Sequence, residues 1–304
     1  MVTAPPDLIV KDEPAPAAAA PHEVVKRHRL STRIWHWVNA LALFVMLMSG
    51  LMIFNAHPRL YWGQYGANAD PAWLEIGSDE SGGFLKLGET RIGTTGLLGQ
   101  WTDGQGAVQR RAFPGWATIP SSYDLAGARR WHLAFAWVLA LGLLLFMIRA
   151  FWNRHAQREL RPSLDELKPR HLWQEVKDHA RLRFPTGAAA LRYNTLQKLS
   201  YFGVIFILLP LIILTGITMS PGMNAAWGWL LDLFGGRQSA RSIHFIAAFL
   251  LVGFIIVHLV MVVLAGPVNE IRSMITGKYR VPQPKQPAPP PELQPAPATE
   301  EASA

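Results

Sequence analysis

Four long apolar runs stand out along the chain: Ile34 to Phe54, Trp131 to Phe151, Leu199 to Ser220 and Ile243 to Leu264. Each has the ~20 residues needed to cross a ~30 Å hydrocarbon core. In lipid only a helix satisfies its own backbone within one such segment. The pattern therefore predicts an all-α membrane protein, a four-transmembrane-helix bundle. Pro210 sits inside the third run, where its missing N–H and bulky ring predict a kink. The long polar stretch Asn55 to Arg130 separates the first two runs. It includes "GTTGLLGQWTDGQGAVQRRAFPGWATIP", has poor helical or strand periodicity, and is expected to be a long extracytoplasmic loop. A loop of that length is usually functional, and we expect it to cap one end of the bundle and offer a docking surface. The segment Met223 to Gly236 reads as a short amphipathic helix on the same surface. No internal repeat is legible.

Outside the runs the composition changes. Residues 1–25 and 279–304 are rich in Pro and Ala and poor in bulk, which predicts disordered tails flanking a membrane domain at 26–278. The first 25 residues lack the basic start and apolar run of a signal peptide. The chain carries a net charge of +8, but its distribution argues against nucleic-acid binding. Lys and Arg crowd the segments before the first run, between the second and third, and after the fourth. The connection before the fourth run holds only Arg237 and Arg241, and the long loop balances bases with acids. Basic short loops mark the cytoplasmic side, so a bacterial cytoplasmic (inner) membrane with both termini cytoplasmic is expected.

The chain has no Cys. That excludes thiolate metal sites, iron–sulfur clusters and covalently attached haem, and leaves histidine, methionine or shape to hold any cofactor. Of the ten histidines, four lie inside the apolar runs: His36, His132, His244 and His258. The step from His244 to His258 is fourteen residues, which closes within ~40° of whole helical turns and rises ~21 Å. Both imidazoles thus face one groove near opposite membrane surfaces. With the first run starting inside, His36 shares the depth of His258, and His132 the depth of His244. Two imidazoles at one depth on different helices suit six-coordinate haem b, so the set predicts two haems, the inner held by His36 and His258 and the outer by His132 and His244.

Cations beside these positions fit haem propionates: Arg33 before His36, Arg129 and Arg130 before His132, Arg237 and Arg241 before His244. Interfacial anchoring accounts for the same arginines. Gly50 lies fourteen residues after His36 and leaves room for porphyrin or for helix packing. Three rivals stay open. The histidines could be structural, the chain could be a haem-free membrane anchor, or it could be a metal-ion transporter. A transporter usually wants carboxylates, and the runs contain no Asp or Glu.

The stretches "TRIWHWVNALALFVMLMSG", "RRWHLAFAW", "RYNTLQKLSY" and "SARSIHFIAAFLLVGFIIVHLVMVVLAGPVNEIRSMITG" resemble the bacterial b-type cytochrome subunits of nickel–iron hydrogenase, formate dehydrogenase and thiosulfate reductase complexes. The resemblance covers roughly Lys26 to Lys278. It implies a diheme electron-transfer subunit of the respiratory chain, rather than a complete enzyme, passing electrons between a periplasmic oxidoreductase and membrane quinone. The last segments look most like the thiosulfate-reductase branch, implying a molybdopterin-type partner. The family's motif like "YNTLQK" implies a quinone site at Asn194 and Gln197, whose amides suit a quinone carbonyl, although Asn194 could simply cap the third helix.

Overall fold

The computed structural model describes residues 24–152, 162–183 and 194–281. Four helices are long and apolar enough to cross a membrane: α1 (Leu30–Phe54), α2 (Leu125–Trp152), α4 (Thr195–Met219) and α7 (Arg237–Ala265). Each runs a few residues beyond its apolar run, because the interfacial turns carry polar residues that periodicity does not count. The chain is mostly helical. α1 packs chiefly on α2, and α4 on α7. A seam of Met46, Leu139, Leu143, Leu209, Ile212 and Leu251 fills the middle of the bundle. The outer surface keeps Phe44, Leu145, Ile148, Leu250, Val257 and Val263 exposed, an apolar coat suited to lipid and costly in water.

Pro210 does not break α4. The helix widens to a π-helical stretch at Gly203–Leu208 immediately before it, which relieves the clash of the proline ring with the preceding turn.

The connection between α1 and α2 corrects the all-α expectation. Strands β2 (Arg59–Leu60), β3 (Leu74–Asp79), β4 (Gly82–Leu87) and β5 (Thr90–Gly93) form one antiparallel sheet in chain order, and β6 (Trp101–Thr102) pairs with β7 (Val108–Gln109). The β4–β5 turn is Gly88–Glu89, with Gly88 at φ 55° where a side chain is strained. Leu60, Leu74, Ile76, Ala112 and Phe113 bury themselves against Phe54 at the end of α1. The connection is therefore a folded β lobe seated on one end of the bundle, which we term the lobe end.

Polar contacts fix the lobe there. Asn55 pairs with the Phe113 backbone in both directions, donating to its carbonyl at 3.2 Å and accepting from its N–H at 2.7 Å. The Gly63 carbonyl accepts from Gln238 and Ser239 N–H, satisfying open donors in the first turn of α7. Trp73 donates to the Ser242 hydroxyl at 2.9 Å, which in turn donates to the Tyr61 carbonyl at 2.6 Å. The expected single helix over 223–236 is instead two short ones, α5 (Pro221–Ala226) and α6 (Trp229–Leu233), interrupted around Trp227 and Gly228.

At the other, terminal end, α7 stops at a left-handed Gly266 and α8 (Pro267–Thr276) turns away from it. Strand β1 (Val24–Lys26) pairs antiparallel with β8 (Lys278–Arg280), so ordered structure reaches slightly into both segments read as tails. The remainder of those tails, with His22, and also His155, lies outside the described residues. The α3 helix (Pro169–Ala180) docks on the start of α4.

Candidate functional site

The four intramembrane histidines come together in two pairs. His36 and His258 face each other at the terminal end with ring centroids 6.2 Å apart and planes inclined 56°. His132 and His244 do the same at the lobe end, at 6.3 Å and 57°. The spacing has a chemical meaning. An imidazole ring with ~1.35 Å bonds has a radius of about 1.15 Å. Two metal–nitrogen bonds of about 2 Å between facing rings then give about 6.3 Å between centroids. Both pairs thus match a single metal atom clamped between two imidazoles. Among the described residues no group of three or more His, Asp or Glu side chains converges on a metal-ion site, and each pair offers two imidazoles. The donor set fits haem and does not fit a protein-only metal-ion site.

The two ends differ in how the rings are held. His132 Nδ1 lies 3.1 Å from the Ser49 hydroxyl and 3.1 Å from the Met46 carbonyl. His244 Nδ1 lies 3.0 Å from the Thr215 hydroxyl. A Cβ on Gly50 would stand 3.3 Å from Cε1 of His132, and one on Gly216 3.4 Å from Cε1 of His244. Gly50 therefore makes room for an imidazole, where the sequence suggested porphyrin or a helix. Ser49, Thr215 and Gly216 were not singled out by sequence, though "LMSGLM" in α1 and "ILTGIT" in α4 repeat a hydroxyl–glycine step. At the terminal end, His36 Nδ1 is buried with no hydrogen-bond partner among the described residues.

The arginines separate by role. Arg33 donates from Nη2 to the Ile275 carbonyl, while its Nε is buried without a partner among the described residues. Arg130 is exposed beside Trp131 in a cleft of about 350 Å³ that also includes Asp124. Arg241 donates to the backbone carbonyls of His57 and Arg59, the latter at 2.9 Å, and its guanidinium lies 5.4 Å from the Phe54 ring centroid. The structure therefore gives Arg241 a lobe-fastening role that sequence did not suggest.

Asn194 and Gln197 form a capping box at the start of α4. The Asn194 side chain accepts from Gln197 N–H at 2.8 Å, and the Gln197 side chain accepts from Asn194 N–H at 3.3 Å. Glu175 of α3 completes the cap, accepting from Thr195 N–H at 3.1 Å and Leu196 N–H at 3.0 Å. Burial works against the Glu175 charge, but these hydrogen bonds outweigh it and hold the carboxyl below its ordinary range. Asn194 Nδ2 also lies 3.1 Å from His179 Nε2. Burial pushes His57 below the usual imidazole range, assisted by Arg241 and Arg59. His28 is lowered to about 4 by burial, then by Arg27, His36 and Arg33.

A family model described as prokaryotic cytochrome b561 matches residues 27–277. A protein of Cupriavidus necator named as a Ni/Fe-hydrogenase B-type cytochrome subunit is 24% identical over 287 residues, covering 90% of this chain and 94% of its own length. One of Azospira oryzae, named as the protein-methionine-sulfoxide reductase subunit YedZ1, is 26% identical over 255 residues, 84% of this chain and 98% of its own. The Escherichia coli cytochrome named YdhU is 25% identical over 260 residues, 85% and 76% respectively.

Proposed function

The chain belongs to the prokaryotic cytochrome b561 family and is thereby a multi-pass membrane b-type cytochrome of electron transfer; from that premise we propose that it carries two haem b groups. His36 and His258 hold one at the terminal end, and His132 and His244 hold the other at the lobe end. The closely matching 6.2 and 6.3 Å separations of the two pairs carry this reading. When bound, haem supplies one-electron iron chemistry. The protein's own part is to present two neutral imidazoles to each iron, exclude water with the Met46–Leu251 seam, and leave no coordination position open to substrate. Arg33, with its unpartnered Nε, is assigned to the haem carboxylates at the terminal end, and exposed Arg130 to those at the lobe end.

The cytochrome passes electrons between a redox enzyme of molybdopterin type on the periplasmic side and quinone in the cytoplasmic membrane. Relatives named as subunits of two different redox enzymes support an enzyme partner, and the β lobe offers a folded surface for it. The basic termini and connections support a cytoplasmic placement of the terminal end, where quinone would exchange near Asn194 and Gln197. Haem quantification and redox titration of the purified protein test the reading. Two haems per chain with a b-type reduced-minus-oxidised band are expected, and the absence of that band would favour a haem-free anchor.

A further inference from the structure

We propose that Ser49–Gly50 on α1 and Thr215–Gly216 on α4 form a duplicated clamp that fixes the tautomer and ring orientation of His132 and His244, and so lowers the redox potential of the lobe-end haem. The inference rests on the haem reading above and concerns positioning residues that touch ligands, not iron.

The hydrogen count decides the tautomer. A hydroxyl has one hydrogen to donate. Ser49 directs its hydrogen to the Val45 carbonyl at 2.7 Å, with the Met46 carbonyl also near at 3.2 Å. Thr215 directs its own to the Leu211 carbonyl at 2.7 Å, with Ile212 at 3.2 Å. Each oxygen can then meet its histidine only as an acceptor. Nδ1 must therefore carry the hydrogen on both rings, and each Nε2 keeps its lone pair for the metal. On His132 the Met46 carbonyl at 3.1 Å accepts the same N–H. The glycine that follows each hydroxyl lets the Cε1 edge come close: a Cβ on Gly50 would crowd the His132 ring at 3.3 Å, and one on Gly216 would sit against the His244 ring at 3.4 Å. Hydroxyl and glycine together hold each ring by its Nδ1–Cε1 edge.

An imidazole that donates its outer N–H is the more electron-rich ligand and favours ferric over ferrous iron. The lobe end has this on both sides of its metal position. The terminal end lacks it at His36, whose Nδ1 is buried and unpartnered among the described residues. The clamp thus lowers one of two chemically alike sites relative to the other.

Spectroelectrochemical titration and low-temperature EPR of the purified haem-loaded protein test this, using Ser49→Ala, Thr215→Val, their combination, and the rescuing Ser49→Thr and Thr215→Ser. The double variant is expected to keep two haems while the midpoint of one rises by about a tenfold change in ferric preference, ~59 mV for one electron. Single variants shift part of the way, and Ser49→Thr and Thr215→Ser return to the wild-type value. Gly50→Ala or Gly216→Ala should alter the low-spin EPR anisotropy of that same haem, because anisotropy follows the angle between the ligand planes. The haem that moves should be the one lost in His132→Ala. Unchanged midpoints in the double variant, a shift on the other haem, or Thr and Ser replacements behaving like the deletions would overturn the clamp. A wild-type protein without low-spin bis-imidazole haem would instead remove the reading beneath it.

Discussion

The imidazole of His244 lies 6.3 Å, centroid to centroid, from that of His132. That separation falls within the 4.5–7 Å range of ordinary aromatic pairs, and it is also the distance that one metal atom bonded to both rings would set. The His36–His258 pair repeats the separation closely, at 6.2 Å against 6.3 Å. The repetition makes the ligand assignment sharply testable.

Replacing each histidine with alanine should remove haems in pairs. His36→Ala and His258→Ala are expected to lose the same haem, and His132→Ala and His244→Ala the other, leaving one per chain in every case. Pyridine haemochrome analysis gives the count, and redox titration shows which midpoint survives. A variant retaining both haems contradicts that residue's assignment.

Arg241 ties α7 to the lobe through two carbonyls. Charged hydrogen bonds of this kind contribute about 1.5–3 kcal/mol. Arg241→Gln should therefore loosen the lobe without unfolding the helices. Hydrogen exchange at β2 and β3 is expected to rise while far-ultraviolet helicity stays constant. Equal protection in wild type and variant would show that the fastening lies elsewhere.

Asn194 and Gln197 serve as a helix cap, so a quinone role must be separated from a capping role. Serine caps as well as asparagine but has no amide. Asn194→Ser is expected to preserve melting temperature and haem content while slowing quinone-linked haem reduction; Gln197→Ala should slow it as well. Wild-type kinetics in both variants would take these residues out of the quinone site.

Acid should weaken the terminal end. His28 titrates near 4 in the folded protein, against 6.5 when unperturbed. Above 6.5 both states are neutral and the group is silent. As pH falls from 6.5 toward 4 the unfolded chain takes up the proton first, so stability is lost across that window. Thermal melts at fixed ionic strength should show a shallower decline in His28→Gln than in wild type, and identical slopes would dismiss the linkage.

Much of the bundle was legible because lipid imposes one demand on every spanning residue, and the fourteen-residue step of His244 and His258 then carries two rings to one groove. The lobe was not. Its strands are two to six residues long, glycines interrupt "SDESGGFLKLGETRIG", and the alternation of Leu74 and Ile76 is too brief to register as a period. Ser49 and Thr215 were missed for another reason. Their importance lies in partners on other helices, His132 in one case and His244 in the other, which no local pattern reports. Arg241 reads the same in sequence whether it faces a propionate or a strand carbonyl.

The buried apolar seam of Met46, Leu139, Leu143, Leu209, Ile212 and Leu251 packs together the helices that carry the two imidazole pairs. It makes the proposed electron path a sensor of voltage. A charge moved from the height of His244 to that of His258 travels ~21 Å of a ~30 Å insulator, so each 100 mV across the membrane biases its position by about 1.6 kcal/mol. An energised membrane would thus add its own bias to the difference between the midpoints of the two proposed haems.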